Sequence, residues 1–274
     1  MEPSRREISW TRRDVLLYQL SLGAGPEDLS YAYERGLQVL PTFAMVAGQG
    51  VSAGDDVAPS LDLSALGIDL ATILHAGQSL TVHRPLPARG DATVESRIAD
   101  VWDKGKAAVL VLESVAADAA GPLWTSRTQI WARGAGGFGG EPGPEPDGTV
   151  PGRQPDHVLD APTTAGQALL YRLNGDLNPL HADPAFAKRV GFDRPILHGL
   201  ATYGVVAKAL VDGVLDGDAT RLTSLSVRFA GTLFPGEMIR TSVWRDGDLL
   251  TFVATCPERE DAPVLSHACA EVTP

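Results

Sequence analysis

Cysteine is almost missing from this chain: among 274 residues only two occur, Cys256 and Cys269. Both sit in apolar, strand-like runs and read as buried free thiols. A chain this long needs no disulfide to hold its core. No Cys/His spacing matches a zinc site, and His75 and His83 stand too isolated to read as metal ligands. Basic residues are outnumbered: 23 Lys and Arg face 34 Asp and Glu, a formal charge of −11. That balance excludes a general nucleic-acid or membrane-surface binder. Any anionic ligand has to be held by local positive groups against the overall field. Long hydrophobic runs are also lacking, with none near the roughly 20 residues that span a bilayer. The opening MEPSRREISW has no apolar core of a secretory signal, and the closing EVTP is not a peroxisomal address of the S-K-L type. A soluble cytoplasmic protein is the expectation.

What is present falls into alternating runs and turns. Trp10 to Leu22 reads as a helix ended by Gly23. Leu37 to Phe43 is apolar around Pro41, Ala44 to Val46 can open a short helix, and Asp62 to Ile68 is ambiguous. Ser79 to His83 alternates as a strand. Ala92 to Trp102, Ala107 to Ala117 and Leu123 to Ala132 read as three successive strands, parted by turn signals. Residues 134–151 then change character: almost all Gly, Pro and acid, they read as a flexible linker or long surface loop. A literal G-x-G-x-x-G runs from Gly134 to Gly139. A dinucleotide fingerprint would have to open a helix, and Gly140-Glu141-Pro142-Gly143-Pro144 cannot.

After the linker the order begins again. Thr164 to Leu173 and Pro184 to Val190 are predicted helices, and Gly199 to Val211 is a longer one. Leu222 to Phe229, Glu237 to Arg245, Leu249 to Cys256 and Val264 to Val272 are predicted strands, with a hairpin turn at Asp246-Gly247-Asp248. The halves also match in sequence. Leu16-Leu17-Tyr18-Gln19-Leu20-Ser21 sits against Leu169-Leu170-Tyr171-Arg172-Leu173-Asn174, and Leu40-Pro41-Thr42-Phe43 against Leu197-His198-Gly199-Leu200. An internal duplication of domain size follows, with copies at 1–133 and 152–274. A long helix on an antiparallel sheet, occurring twice, is an α+β layout.

The second copy carries the chemistry. Tyr171 to His181 reads YRLNGDLNPLH. Gly175 and Pro179 break any regular helix there, so the stretch is a loop presenting an acid, an amide and an imidazole to one place. Counting from the matched tyrosines, Asp176, Asn178 and His181 correspond to Gly23, Gly25 and Asp28, so the first copy lacks the triplet. This loop resembles the signature of the (R)-specific enoyl-CoA hydratases, the hydratase 2 or MaoC-like dehydratase family: an aromatic, an apolar and a small polar residue, then G-D-x-N-P-apolar-H. Pro195 to Leu200, PILHGL, fits that family too. The resemblance implies a double hot-dog fold and an acyl-CoA substrate, with no cofactor and no metal. It also implies a first copy that shapes the pocket for the acyl end. Two copies in one chain can already form the pseudo-dimer, so a monomer or a homodimer is expected.

The implied reaction is the reversible hydration of a trans-2-enoyl-CoA to the (R)-3-hydroxyacyl-CoA. It needs a proton acceptor, a proton donor, a group to hold water and a stabiliser for charge on the thioester oxygen. His181 is the acid/base suited to neutral pH. Asp176 is the second proton-transfer group or shares the water. Asn178 holds the water or orients Asp176. Which of Asp176 and His181 takes the first proton is left open. Gly199, at the start of the long helix, is the candidate oxyanion donor through its N–H, or else a close-packing position. His198 reads as structural, satisfied by a backbone carbonyl, and Tyr171 as core. Arg228 recurs in the family and is a candidate for CoA, with a solvated strand residue as the alternative. Lys188, Arg189 and Arg194 are further phosphate candidates. Two other functions compete: thioester hydrolysis on the same fold, and a silent acyl-thioester-binding subunit.

Overall fold

Residues that alternate in polarity form one antiparallel sheet of ten strands. The computed structural model of the chain describes residues 3–49, 73–145 and 148–274; Asp62 to Ile68 lies outside them. In the first half the strands are β1 (Ser4–Trp10), β2 (Ile73–Val82), β3 (Gly90–Asp103), β4 (Ala107–Asp118) and β5 (Gly121–Arg133). In the second they are β6 (His157–Pro162), β7 (Leu222–Phe229), β8 (Met238–Asp246), β9 (Leu249–Cys256) and β10 (Ala262–Val272). The order across the sheet is β1-β3-β4-β5-β2-β7-β10-β9-β8-β6. Each half repeats the same order outward from the centre. The halves join where β2 meets β7, with Gly77 opposite Arg228 and Thr81 opposite Ser224.

The helices are α1 (Arg12–Ser21), α2 (Leu29–Ala32), α3 (Gln167–Tyr171), α4 (Pro184–Arg189) and α5 (Gly199–Val214). Most of α5 is buried, because Ala, Val and Gly dominate it. Gly204 lets it come close to Leu22 and Tyr18, which a Cβ there would meet at 2.7 Å. This is the long helix of the second hot-dog unit, lying on its sheet. The matching stretch of the first unit opens as a 3₁₀ turn, Pro41–Met45, before the described residues break off. The duplication is visible in contacts: Tyr18 packs on its counterpart Tyr171, ring centroids 6.2 Å apart. Asn174 Nδ2 donates to Oγ of its counterpart Ser21 at 3.0 Å.

Three expectations need correction. Trp10 does not begin a helix; it ends β1, and α1 starts only after Thr11, which forms a capping box with Asp14. Two strands, β1 and β6, went unread in the sequence; they are the two edges of the sheet. The glycine-rich loop after β5 is also less free than its composition suggests. The Asp103 carboxylate accepts from the N–H groups of Gly137 and Gly139 at 2.8 and 2.7 Å and pins it. Cys256 is buried and Cys269 half-buried, and neither forms a disulfide. Among the described residues, no helix is long and apolar enough to cross a membrane.

Candidate active site

The loop between α3 and α4 is built by its own side chains. Gly175 adopts φ +122°, where an L side chain is strained, and a Cβ there would collide with the backbone oxygen of Gln49. Glycine is required at the point where the second half abuts the first. The Asp176 carboxylate accepts from the Asn178 N–H at 3.1 Å, and Asn178 Oδ1 accepts from the Leu180 N–H at 3.0 Å. These two bonds fold the chain into a 3₁₀ turn, Pro179–His181, which delivers His181. Asn178 thus caps the turn with its oxygen and keeps its Nδ2 for another partner.

His181 is buried, and its Nδ1 lies 2.9 Å from the Ile196 carbonyl oxygen. A carbonyl only accepts, so Nδ1 carries the hydrogen and Nε2 is left with the lone pair. Burial pushes the pKa of this imidazole below its ordinary value. The neutral ring is therefore a base with one free nitrogen. Asp176, His181 and His198 offer ligand atoms that all lie within 4.8 Å of one another. Two hydrogen bonds of about 2.8 Å to one water span up to roughly 5.6 Å, so a single water can touch both Asp176 and His181. A metal fits the same three less well. The His181 and His198 rings are stacked, centroids 3.7 Å apart and planes 24° from parallel, so their in-plane lone pairs lie in nearly parallel planes, a poor arrangement for converging on one ion.

Gly199 is the first residue of α5 and His198 its N-cap, without a side-chain capping bond. The first N–H groups of that helix are thus open to a ligand and sit at its positive end. Asp176, Asn178, His181, His198, Gly199 and Arg228 all line one cavity of about 620 Å³. The Gly199 face is tight, because an added Cβ would sit 3.1 Å from the Phe229 ring. Arg228 is exposed on this wall and forms no ion pair among the described residues. Arg194 lies 3.8 Å from Glu237 and over the Phe234 ring, and Arg189 covers Phe186. Neither these two nor Lys188 lines the cavity.

Of the lining residues to which sequence reasoning gave no place in the site, one is titratable. His75, from β2 of the first half, faces the cavity with its ring against Phe229, centroids 4.7 Å apart. A register shift between His75 and Gly77 re-aims the strand there. Burial pushes the His75 pKa down to about 4, so the ring is neutral. Nothing in the sequence pointed to it, since it stands about a hundred residues from the motif and the bulge has no local signature. Ile73, Leu74, Ala76 and Trp131 also come to the cavity from the first half.

Comparison with known proteins fits this geometry. Residues 8–134 match the family described as MFE-2 hydratase 2 N-terminal domain, and residues 147–257 the MaoC like domain. The enoyl-CoA hydratase ChsH3 of Mycobacterium tuberculosis is 47% identical over 266 residues, 95% of this chain and 92% of that protein. The chain belongs to the MaoC-like dehydratase family. A second relative in it, 3-hydroxyacyl-thioester dehydratase Y of the same organism, is 43% identical over 248 residues, 87% of this chain and 83% of that protein. The crystal structure of a MaoC-like dehydratase from Phytophthora capsici superposes with a TM-score of 0.87 at 32% identity, covering 99% of this chain and 95% of that one. With such relatives, the double hot-dog architecture and the lyase class of this MaoC-like chain are settled.

Proposed function

We propose that this enzyme adds water to a trans-2-enoyl-CoA to give the (R)-3-hydroxyacyl-CoA, and catalyses the reverse dehydration. Enoyl-CoA hydratase and 3-hydroxyacyl-thioester dehydratase are the activities named for the two relatives. The observation that supports the reading most is one carboxylate and one neutral imidazole within reach of one water, beside a helix start with uncapped amides.

In this reading the water donates to Asp176 and to His181 Nε2 and accepts from Asn178 Nδ2. As its oxygen bonds to the β-carbon, its proton passes to His181, whose free nitrogen is the reason to assign it the first transfer. The double-bond electrons move onto the thioester oxygen, where the Gly199 N–H and the end of α5 stabilise the charge. The enolate then takes the proton back at the α-carbon, and one water has been added. The first half supplies the His75, Trp131 and Ile73 wall against which the acyl group rests. Arg228, the cation on the cavity wall, meets the CoA moiety. One chain holds both halves of the pseudo-dimer, so a monomer suffices, and two cysteines outside any disulfide suit a cytoplasmic setting.

Crotonyl-CoA should lose its enoyl-thioester absorbance on adding enzyme, without release of free thiol. Asp176→Asn and His181→Gln should each lower kcat by about 10²–10⁴-fold. If both variants keep the wild-type rate, the assignment fails.

A further inference from the structure

His198 is a buried group that this mechanism leaves idle, and it adjoins three of its parts. Its side chain is 1% exposed. Its ring stacks on His181 at 3.7 Å and packs on Tyr171 at 4.9 Å. Its Nε2 lies 3.2 Å from the backbone carbonyl of Asp176, which can only accept, so Nε2 carries the hydrogen. Its own carbonyl accepts the Thr202 N–H at 3.1 Å and so opens α5, directly before Gly199. One residue therefore contacts the base, the backbone of the acid and the residue of the oxyanion amide.

Resting on the hydration reading above, we infer that His198 is a positioning residue: its stacked ring fixes the plane of His181, its Nε2–H tethers Asp176, and it exchanges no proton itself. The groups that face it agree with that division. Burial above all, then His181 and more weakly Arg172, disfavour a charge on it; the Asp176 carboxylate and carbonyl favour one and are outweighed, so its pKa is pushed down to about 4. Tyr171, on its other side, is held neutral by burial. Nδ1 of His198 is buried and has no partner among the described residues, so a proton arriving there would meet no acceptor among them. Of the two stacked imidazoles, His181 is therefore the one that can take the proton from water.

Two variants separate the two contacts. His198→Phe keeps a flat buried ring and removes the tether; His198→Gln keeps a donor and removes the ring. Each should lower kcat roughly 10²-fold, the cost of about 1 Å of misplacement, with KM for crotonyl-CoA within about threefold of wild type. The acid limb of the pH profile should move up in His198→Gln, where water reaches His181, and stay in place in His198→Phe. In the wild-type enzyme, imidazole nitrogen and carbon resonances should show His198 as the neutral Nε2–H tautomer from pH 5 to 8, a measurement independent of any variant's folding. The inference is overturned if His198 titrates within that range or carries its hydrogen on Nδ1. It is equally overturned if both folded variants keep wild-type kcat and acid limb while Asp176→Asn and His181→Gln are inactive. Activity retained by those last two would instead sink the hydration reading.

Discussion

At His181, one ring nitrogen donates to the Ile196 carbonyl, so the other is the only place a proton can go. Burial lowers the pKa of that ring, so it stays a free base to lower pH than an exposed imidazole, whose value is about 6.5. The acid limb of kcat/KM for hydration should accordingly lie below pH ~6.5 in a pH–rate profile; a limb above about 7 would contradict the assignment. Gly199 answers to two demands at once. A Cβ there presses on Phe229 at 3.1 Å and would shift the helix start proposed to hold the oxyanion. Gly199→Ala should cost roughly 10–10²-fold in kcat, less than the complete loss of such a donor, and steady-state kinetics would show it. Asp176, Asn178 and His181 were legible as a group because six consecutive residues hold them. His75 was not, because its place depends on a bulge and on a strand of the other half.

Among the elements, the loop between α3 and α4 and helix α5 depend most on backbone chemistry. Gly175 combines φ +122° with a backbone neighbour where a side chain would go, and backbone cannot yield as a flexible side chain can. Gly175→Ala should destabilise the protein by about 3 kcal/mol, read from denaturant unfolding, and lower kcat by displacing the loop. Helix α5 begins at His198 instead of at Ser, Thr, Asp or Asn, the usual caps, so its amides remain for a ligand. That absence of a cap was readable in the sequence; what the amides face was not. The central strands were legible because alternation marks a half-buried strand. The edges β1 and β6 were not: SRREISW is rich in charge and HVLDAP ends in Pro162, and edge strands tolerate both.

For the molecule as a whole, the seam between β2 and β7 and the Tyr18–Tyr171 contact make the halves interdependent. Residues 152–274 expressed alone should show no hydration of crotonyl-CoA and should self-associate by light scattering, since β7 loses its neighbour and Tyr171 its cover. Buried histidines also set a pH dependence of stability. His75 and His198 are pushed down to about 4 by burial, against about 6.5 in an unfolded chain. As pH falls through 6.5 the unfolded chain gains protons that the fold refuses, so stability present above that value is lost on the way down to 4. Tm should drop between pH 7 and 5, and His75→Gln should shallow the slope; a flat Tm over that range would contradict it. The sequence by itself determined the duplication, the α+β layout and the contiguous acid, amide and imidazole, because each is written in pattern and spacing; the hot-dog class followed from the family resemblance that this loop carries. Only the tertiary structure decided which nitrogen of His181 is free, that His198 stacks upon it, and that the first half brings His75 to the same cavity. Those depend on distances between residues far apart in the chain, and pattern carries no information about them.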